Sequence, residues 1–213
     1  MTTFWVWGLA LILYGAFLAW YQNWRGPLKP AEVEALVERM RADSAEATDR
    51  NSLDAIKAFF LADDGREFFM LNLVRLAPGT IADPTTGEQK PAREVMEGYT
   101  KMFLPALFAR GGHPAIAARK IGPFVDTWGV PADPDWTMIG YMRYRSRRDL
   151  AQLVSDPRFN GAHEFKFAAM PETASFPTRP MMMFLPSPRI WVGLAIALAA
   201  ALGQIALLLG AAA

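Results

Sequence analysis

The amino-acid sequence predicts an α+β protein in which one soluble domain lies between two terminal transmembrane helices. Long uncharged apolar stretches occupy both ends of the 213-residue chain. Between them, segments with helical periodicity alternate with short apolar runs that are typical of strands. A chain of this length can hold one domain with anchors but not two domains with membrane spans.

The composition excludes several kinds of site. The chain has 22 basic and 21 acidic residues, so no overall charge favours nucleic acid as a partner. It has no cysteine, which excludes disulfides, thiolate chemistry and cysteine-based metal sites. Its two histidines, His113 and His163, are too few for an all-histidine metal site. We therefore expect no metal and no cofactor, and common nucleotide-binding and hydrolase motifs are absent from the sequence.

The N-terminal stretch is predicted to be a retained membrane anchor. Residues 4–20 carry no charge and just span a hydrocarbon layer of roughly 30 Å as a helix. Tryptophan and tyrosine side chains fall near both of its ends, where they suit the membrane interface. A cleaved signal peptide is the alternative, but a basic leading segment and a cleavage site are both missing.

The C-terminal stretch is longer, and residues 190–213 include one polar side chain, Gln204. Ser187 can cap the helix and Pro188 suits its first turn. Small residues along this stretch would permit close contact with another helix, so a membrane protein partner is possible here. Both ends thus predict contact with the lipid bilayer.

The orientation of the two spans follows from the basic residues beside them. Arg25 and Lys29 follow the first span, and Arg179 and Arg189 precede the second. Because basic residues stay on the cytoplasmic side, we expect the central domain in the cytoplasm and both termini in the periplasm. The chain is then a two-span protein of the inner membrane.

The region between the spans is predicted to contain a helical linker and one domain. Residues 30–40 have the periodicity of an amphipathic helix, and a second helix is predicted from Ser52 to about residue 62. The predicted boundaries are 1–24 for the first transmembrane helix, 25–65 for the helical linker, 66–186 for the domain and 187–213 for the second transmembrane helix.

The order of elements in the domain predicts a ferredoxin-like βαββαβ fold with an antiparallel sheet and both helices on one face. Ser146 and Asp149 have the spacing of a capping box at the second helix. The predicted elements are a strand at 67–76, a mobile loop at 77–92, a helix at 93–110 kinked at Pro105, strands at 113–122 and 136–145, a helix from 146 to about 170 that is interrupted near Pro157, and an extended run at 175–185. The uncovered sheet face predicts a homodimer of the dimeric α/β barrel type.

Several short motifs carry a resemblance to a known family. They are MLNLVRL at 70–76, GYTKM at 98–102, RGG at 110–112, the tryptophan strand and YRSRRDL within 136–150, SDPRF at 155–159 and KFAAM at 166–170. In their order and spacing they resemble a bacterial family of dimeric α/β barrels that is classed as a domain of unknown function. The resemblance covers residues 67–180 and implies a ferredoxin-like fold and a homodimer. It implies no reaction, although neighbouring families include cofactor-free monooxygenases, haem enzymes and isomerases.

Four residues form the main hypothesis for a ligand pocket. Asn72 lies within the apolar first strand, where a buried amide needs partners. It could line a pocket with Tyr99 from the first domain helix and with Tyr141 or Arg143 from the third strand. The alternative is that Asn72 bonds neighbouring backbone or a dimer mate.

His163 is a further pocket candidate because it shares a helical stripe with Phe159 and Phe167. Imidazole titrates near neutrality, so His163 could serve as a general base or, as a lesser alternative, as a haem ligand. The interpretation that we favour is a hydrogen-bonded packing histidine. His113 lies in a turn setting, where exposure is the expected state.

Arg143, Arg145, Arg147 and Arg148 form the one dense basic run. They could bind anionic lipid headgroups, but we favour solvated surface charge. Met181, Met182 and Met183 would point to alternating faces of an extended chain, which argues against a shared copper ion.

The sequence therefore predicts a membrane-anchored module that acts as a ligand-binding or assembly subunit at the cytoplasmic face. The alternative is a small-molecule enzyme, such as an oxygenase, an isomerase or a haem-dependent protein, that uses a pocket between helices and sheet.

Overall fold

The computed structural model describes residues 2–43, 53–156, 159 and 161–212. The chain divides into two compact units, one formed by Met1–Trp24 with Pro180–Ala213 and the other by Arg25–Arg179. The helices are α1 (Thr2–Tyr21), α2 (Pro30–Asp43), α3 (Leu53–Leu61), α4 (Ala92–Ala109), α5 (Arg147–Val154), α6 (Ala162–Ala169) and α7 (Pro188–Ala212). The strands are β1 (Phe68–Arg75), β2 (Thr80–Ala82), β3 (Gln89–Pro91), β4 (His113–Arg119), β5 (Met138–Tyr144) and β6 (Glu172–Thr178). The predicted helix start at Ser52 and the break at Pro157 lie outside the described residues.

The first unit is an antiparallel pair of the helices α1 and α7. Each helix is long and apolar enough to cross a membrane. The Tyr14 hydroxyl donates to the Arg189 carbonyl at 2.9 Å, and the Tyr14 ring leaves little room beside Gly193, where a Cβ would lie 3.1 Å from it. Gly193 thus leaves room for the Tyr14 ring at this contact between the two helices.

The second unit is built on a four-stranded antiparallel sheet with the order β4-β5-β1-β6. The order of the sheet strands and of the helices α4 to α6 gives the ferredoxin-like βαββαβ plan. Phe68 pairs with Tyr144, and Phe69 pairs with Arg143 and Thr178. Since the side chains of a strand alternate, this register fixes which residues share each face.

One face of the sheet lies under the helices. Phe68, Met70, Met142 and Tyr144 pack there with side chains from five helices, α2 to α6 or their immediate flanks. The aromatic rings of Phe68 and Tyr144 stack with centroids 5.2 Å apart. Stacked rings at this distance add directional contact to the burial of apolar surface.

The segment treated as a linker, residues 25–65, contributes to this same core. Val33, Leu36 and Val37 of α2 are buried with Phe60 of α3. Both helices are amphipathic, and each needs a surface on which to bury its apolar side. They bury their apolar sides in the core of the domain, so the domain begins near Arg25 rather than at residue 66.

The segment predicted as a mobile loop, residues 77–92, instead contains the hairpin of β2 and β3. Asp83 organises its turn, because its Oδ1 accepts from the backbone N–H groups of Thr85 at 2.9 Å and Thr86 at 3.1 Å. Lys90 reaches the other carboxylate oxygen at 3.2 Å. An aspartate that bonds the backbone two residues on is a standard turn former, and this interaction gives the segment regular structure.

Candidate functional site

The five predicted pocket residues divide between the two faces of the sheet. Asn72 follows Phe68 and Met70 at intervals of two and so lies on the helix-covered face. Tyr141 pairs with Leu71, and Arg143 with Phe69, on the opposite face. The proposed grouping of Asn72 with Tyr141 or Arg143 in one pocket is therefore wrong, because the register places these side chains on opposite faces.

Asn72 uses its amide to join three strands. Its Nδ2 donates to the carbonyl oxygens of Met70 at 3.0 Å and Gly140 at 3.2 Å. Its Oδ1 accepts from the Ser175 hydroxyl at 2.8 Å. These bonds match the alternative that Asn72 bonds neighbouring backbone, and they satisfy a polar group set in an apolar strand.

Tyr99 and His163 do come together, between α4 and α6. Their ring centroids are 6.3 Å apart. Tyr99 also stacks on Phe103 at 5.3 Å, and His163 stacks on Phe167 at 5.8 Å. Burial raises the pKa of Tyr99 to about 12, so its hydroxyl stays protonated at neutral pH.

Lys166 completes this group, and the sequence pattern alone did not identify it. Its ammonium lies 5.7 Å from the centroid of the Tyr99 ring, within the range of a cation–π contact. Burial lowers the pKa of Lys166, and among the ion pairs of the described residues none includes Lys166. The available signal was its position one helical turn after His163 in an otherwise apolar stripe.

Burial makes the two basic side chains of this group, His163 and Lys166, less basic than usual. Burial lowers the pKa of His163, and the positive charge of Lys166 lowers it further. A neutral imidazole beside an amine of reduced basicity can accept a proton, and the amine can bind an anion when it is charged. We call Tyr99, His163 and Lys166 the α4–α6 group.

Arg143 lies on the other face and is 2 % exposed. Its Nη2 is 2.7 Å from Glu67 Oε1, and its guanidinium is 5.2 Å from the Phe69 ring centroid. His113 of β4 pairs directly with Arg143 of β5. Burial lowers the pKa of His113, the Arg143 charge lowers it further, and the Glu67 charge opposes both effects. The expectation that His113 is exposed is wrong, since its Nδ1 is buried.

The other three arginines of the basic run also bind within the domain. Arg145 donates to Asp149 at 2.9 and 2.5 Å. Arg147 lies 4.5 Å from the Phe59 ring centroid. Arg148 donates to Glu32 and to the Pro27 carbonyl at 2.8 Å. Neither solvated charge nor a lipid-binding cluster describes this run, because its guanidinium groups hold elements of the domain together.

No group of three or more metal-binding side chains occurs within the described parts of the chain. The side chains of the α4–α6 group can transfer a proton and bind an anion.

No model of a protein family matches the chain, and no curated protein matches its sequence. Among solved structures, the chain is similar to RPA0582, a protein of unknown function from Rhodopseudomonas palustris. One structure, of the methylated protein, gives a TM-score of 0.52 at 23 % identity and covers 63 % of this chain and 96 % of that one. A second gives 0.51 at 22 % identity, with 62 % and 96 % covered. This likeness shows a shared fold.

A dimeric protein of unknown function and ferredoxin-like fold from Bacteroides fragilis NCTC 9343 is more distant. Its TM-score is 0.33 at 14 % identity, and the match covers 54 % of this chain and 96 % of that one.

Proposed function

We propose that the chain is a membrane-tethered ferredoxin-like module that acts as an assembly subunit at the cytoplasmic face of the inner membrane. Two copies associate through their sheets. The observation that carries this proposal is an apolar sheet face on the side away from the helices.

The centre of this open sheet face carries apolar side chains from all four strands, between the buried Arg143 at one end and the Arg75–Glu172 ion pair at the other. Ile116 of β4 is 50 % exposed, and Phe176 of β6 is likewise exposed. The face is defined by Leu71, Leu73, Ile116, Ile139, Tyr141 and Phe176. A sheet normally buries both faces when both are apolar, and an identical face on a second copy provides a self-complementary cover.

The membrane tether rests on α1 and α7 and on the charges that flank them. The basic residues lie on the domain side of each helix, at Arg25 and Lys29 and at Arg179 and Arg189. The positive-inside rule then places the domain in the cytoplasm and both termini in the periplasm. Leu194, Leu198 and Leu202 form an exposed stripe on α7, which suits lipid or a partner helix.

The mass of the detergent-purified chain tests the association. We expect a dimer, and we expect Ile116→Lys to yield monomers because it places a charge in the interface. Val154→Lys is the matched control, because Val154 on α5 has a similar exposure of 43 % but lies on a helix. A monomeric unaltered chain, or equal effects of the two variants, would rule out association through the sheet.

A reporter fused after Ala213 tests the topology independently. A reporter that works only in the periplasm should be active at this position, and one that works only in the cytoplasm should be inactive. Activity of a cytoplasmic reporter at this position would contradict the hairpin arrangement.

The α4–α6 group supports a second candidate function, the binding or conversion of a small molecule. The observation that favours it is the half-buried Lys166 ammonium beside His163 and Tyr99. A charged amine held among aromatic rings attracts a carboxylate or phosphate, and the imidazole adds a proton acceptor.

Native mass spectrometry and an absorption spectrum of the purified chain test this second candidate. A co-purifying acidic molecule should be lost in Lys166→Met and retained in Lys101→Met, whose lysine is exposed on α4. A Soret band that is lost in His163→Ala would instead identify haem as the ligand. Equal retention of the acidic molecule in both lysine variants would remove the α4–α6 group as its site.

A further inference from the structure

The connection between β4 and β5 has an ordered base. The Lys120 N–H donates to the Thr137 carbonyl at 3.0 Å, and the Thr137 N–H donates to the Val74 carbonyl at 2.8 Å. Lys120 also forms an ion pair with Asp133, and its ammonium lies 5.1 Å from the Phe124 ring centroid. These contacts extend the sheet into the loop and fix where the loop starts and ends.

An open groove of about 520 Å³ lies within this loop. Apart from Asp126 and Thr127, the side chains that line it are apolar, and two of them are aromatic. They are Phe124, Val125, Val130, Pro131, Ala132, Pro134 and Trp136. Grooves lined by aromatic and aliphatic side chains with few polar groups are typical of binding sites.

Large apolar side chains continue beyond the groove. Val125 is 98 % exposed and Trp128 is 84 % exposed, and Ile121 is also exposed. Clustered exposed apolar groups mark interaction surfaces, and tryptophan is prominent at the energetic centres of protein interfaces. The contact area therefore exceeds the groove itself, which favours a polypeptide over a small molecule.

This surface lies at one end of the sheet, and both chain connections of the domain lie at the other. At that far end Tyr144 closes β5, and Arg148 holds the Pro27 carbonyl just after the chain enters the domain. Arg179, the last residue of the domain, follows β6 and pairs with Asp64 at this same end. The six residue steps from Tyr144 to Met138 separate the two ends of β5 by roughly 20 Å.

The charge of the groove selects the chemistry of its occupant. Asp126 lines the groove and forms no ion pair with another described residue. Asp133, the other nearby carboxylate, is neutralised by Lys120. A cationic group on the occupant would meet the Asp126 carboxylate and the face of Trp136, which attract cations.

We propose that the β4–β5 loop is a docking surface for a partner polypeptide segment that carries a lysine or arginine next to apolar residues. The surface is separate from the open sheet face and from the α4–α6 group. Its occupancy therefore does not depend on how the sheet associates or on which small molecule the domain binds.

Selection from a random displayed peptide library, with the full chain held in lipid nanodiscs, tests this proposal. Enriched peptides should contain lysine or arginine beside leucine, isoleucine, phenylalanine or proline. Their binding should weaken at least about tenfold in Trp128→Ala. Asp126→Lys should reverse the preference, so that peptides with aspartate or glutamate are enriched instead.

Glu97→Lys is the matched control, because it makes the same change of charge at an exposed position on α4. It should leave the selected peptides unchanged. Enrichment no greater than on empty nanodiscs, or a preference that survives Asp126→Lys, would overturn the proposal. Stronger quenching of tryptophan emission by brominated lipids in the unaltered chain than in Trp128→Ala would also overturn it, because the bilayer would then cover the loop.

Discussion

Arg148 forms a two-point ion pair with Glu32, in which Nη1 lies 2.5 Å from Oε1 and Nη2 lies 3.0 Å from Oε2. The pair joins α5 to α2, at the point where the chain enters the domain. Arg148 also donates to the Pro27 carbonyl at 2.8 Å. One side chain thus holds the first residues of the domain, from Pro27 to Glu32, against α5, and paired planar groups of this kind give directional strength.

Replacement of Arg148 by alanine should destabilise the domain. Arg148 is 8 % exposed, so its loss takes the donor away from the Gly26 and Pro27 carbonyls and from Glu32. A cost of roughly 1.5–3 kcal/mol corresponds to a fall in Tm of about 4–9 °C for a chain of this size. Thermal unfolding in mild detergent measures it.

The control for this prediction is Arg41→Ala. Arg41 pairs with Glu38, but the two side chains are 59 % and 65 % exposed. Such surface pairs contribute about 0–1 kcal/mol, so Tm should change by no more than about 3 °C. Equal falls in the two variants would show that Arg148 does not anchor the chain at this point.

The pH dependence of stability should reveal the same pair. The hydrogen bond from Arg148, with that from the Lys29 backbone, lowers the pKa of Glu32 from 4.5 to about 2. Because the folded pKa is depressed, the stabilisation is present above pH 4.5 and is lost as the pH falls towards 2. The Tm difference between the unaltered chain and Glu32→Gln should therefore be largest near neutrality and shrink below pH 4.5. A difference that stays constant from pH 7 to 3 would contradict this assignment.

Local sequence signals predicted the elements of the domain better than they predicted its contacts. The Ser146 N-cap is confirmed, since the Asp149 N–H donates to Ser146 Oγ at 3.1 Å, while the Asp149 carboxylate accepts from the Ser146 hydroxyl at 2.5 Å rather than from the Ser146 backbone N–H of a full capping box. The strand order of the sheet confirms the ferredoxin-like order too. It could be predicted because the order of strands and helices along the chain leaves few possible topologies. Both signals depend on neighbours in the chain.

Long-range contacts could not be predicted in the same way. The faces of Asn72 and Arg143 depend on strand register, which pairs residues about 70 positions apart. The β2–β3 hairpin has the proline and glycine content that also marks loops. Lys166 was missed because a lysine on a helix usually faces solvent, and its burial depends on α4 packing beside it.

Lys166→Met should stabilise the domain at neutral pH. Burial lowers the pKa of Lys166, so the folded state disfavours the ammonium relative to the unfolded chain. The unfolded chain then binds more protons than the folded chain. The stability of the unaltered protein therefore rises with pH until the pH passes 10.5, the ordinary pKa of lysine. The advantage of the methionine variant should shrink accordingly as the pH is raised, when Tm is followed from pH 7 to 10. A variant that is less stable at pH 7 would contradict the assignment.

Gly98→Ala should loosen the contact of α4 with α6. An added Cβ at position 98 would lie 2.5 Å from Cδ1 of Phe165, so the ring or the helix must shift. Overpacking of this kind typically costs about 1–3 kcal/mol, which exceeds the roughly 1 kcal/mol that alanine contributes as the better helix former. Thermal unfolding should show a lower Tm.

Gly161→Ala is the control, because open space surrounds Gly161 beside α6, and its change in the free energy of unfolding should stay within about 0.5 kcal/mol. The Gly98 variant should also weaken binding of any acidic ligand that depends on Lys166, since the Tyr99 ring under the ammonium is the next residue along α4. An unchanged Tm in Gly98→Ala would show that α4 and α6 are free to move apart, and the α4–α6 group would then have no fixed geometry.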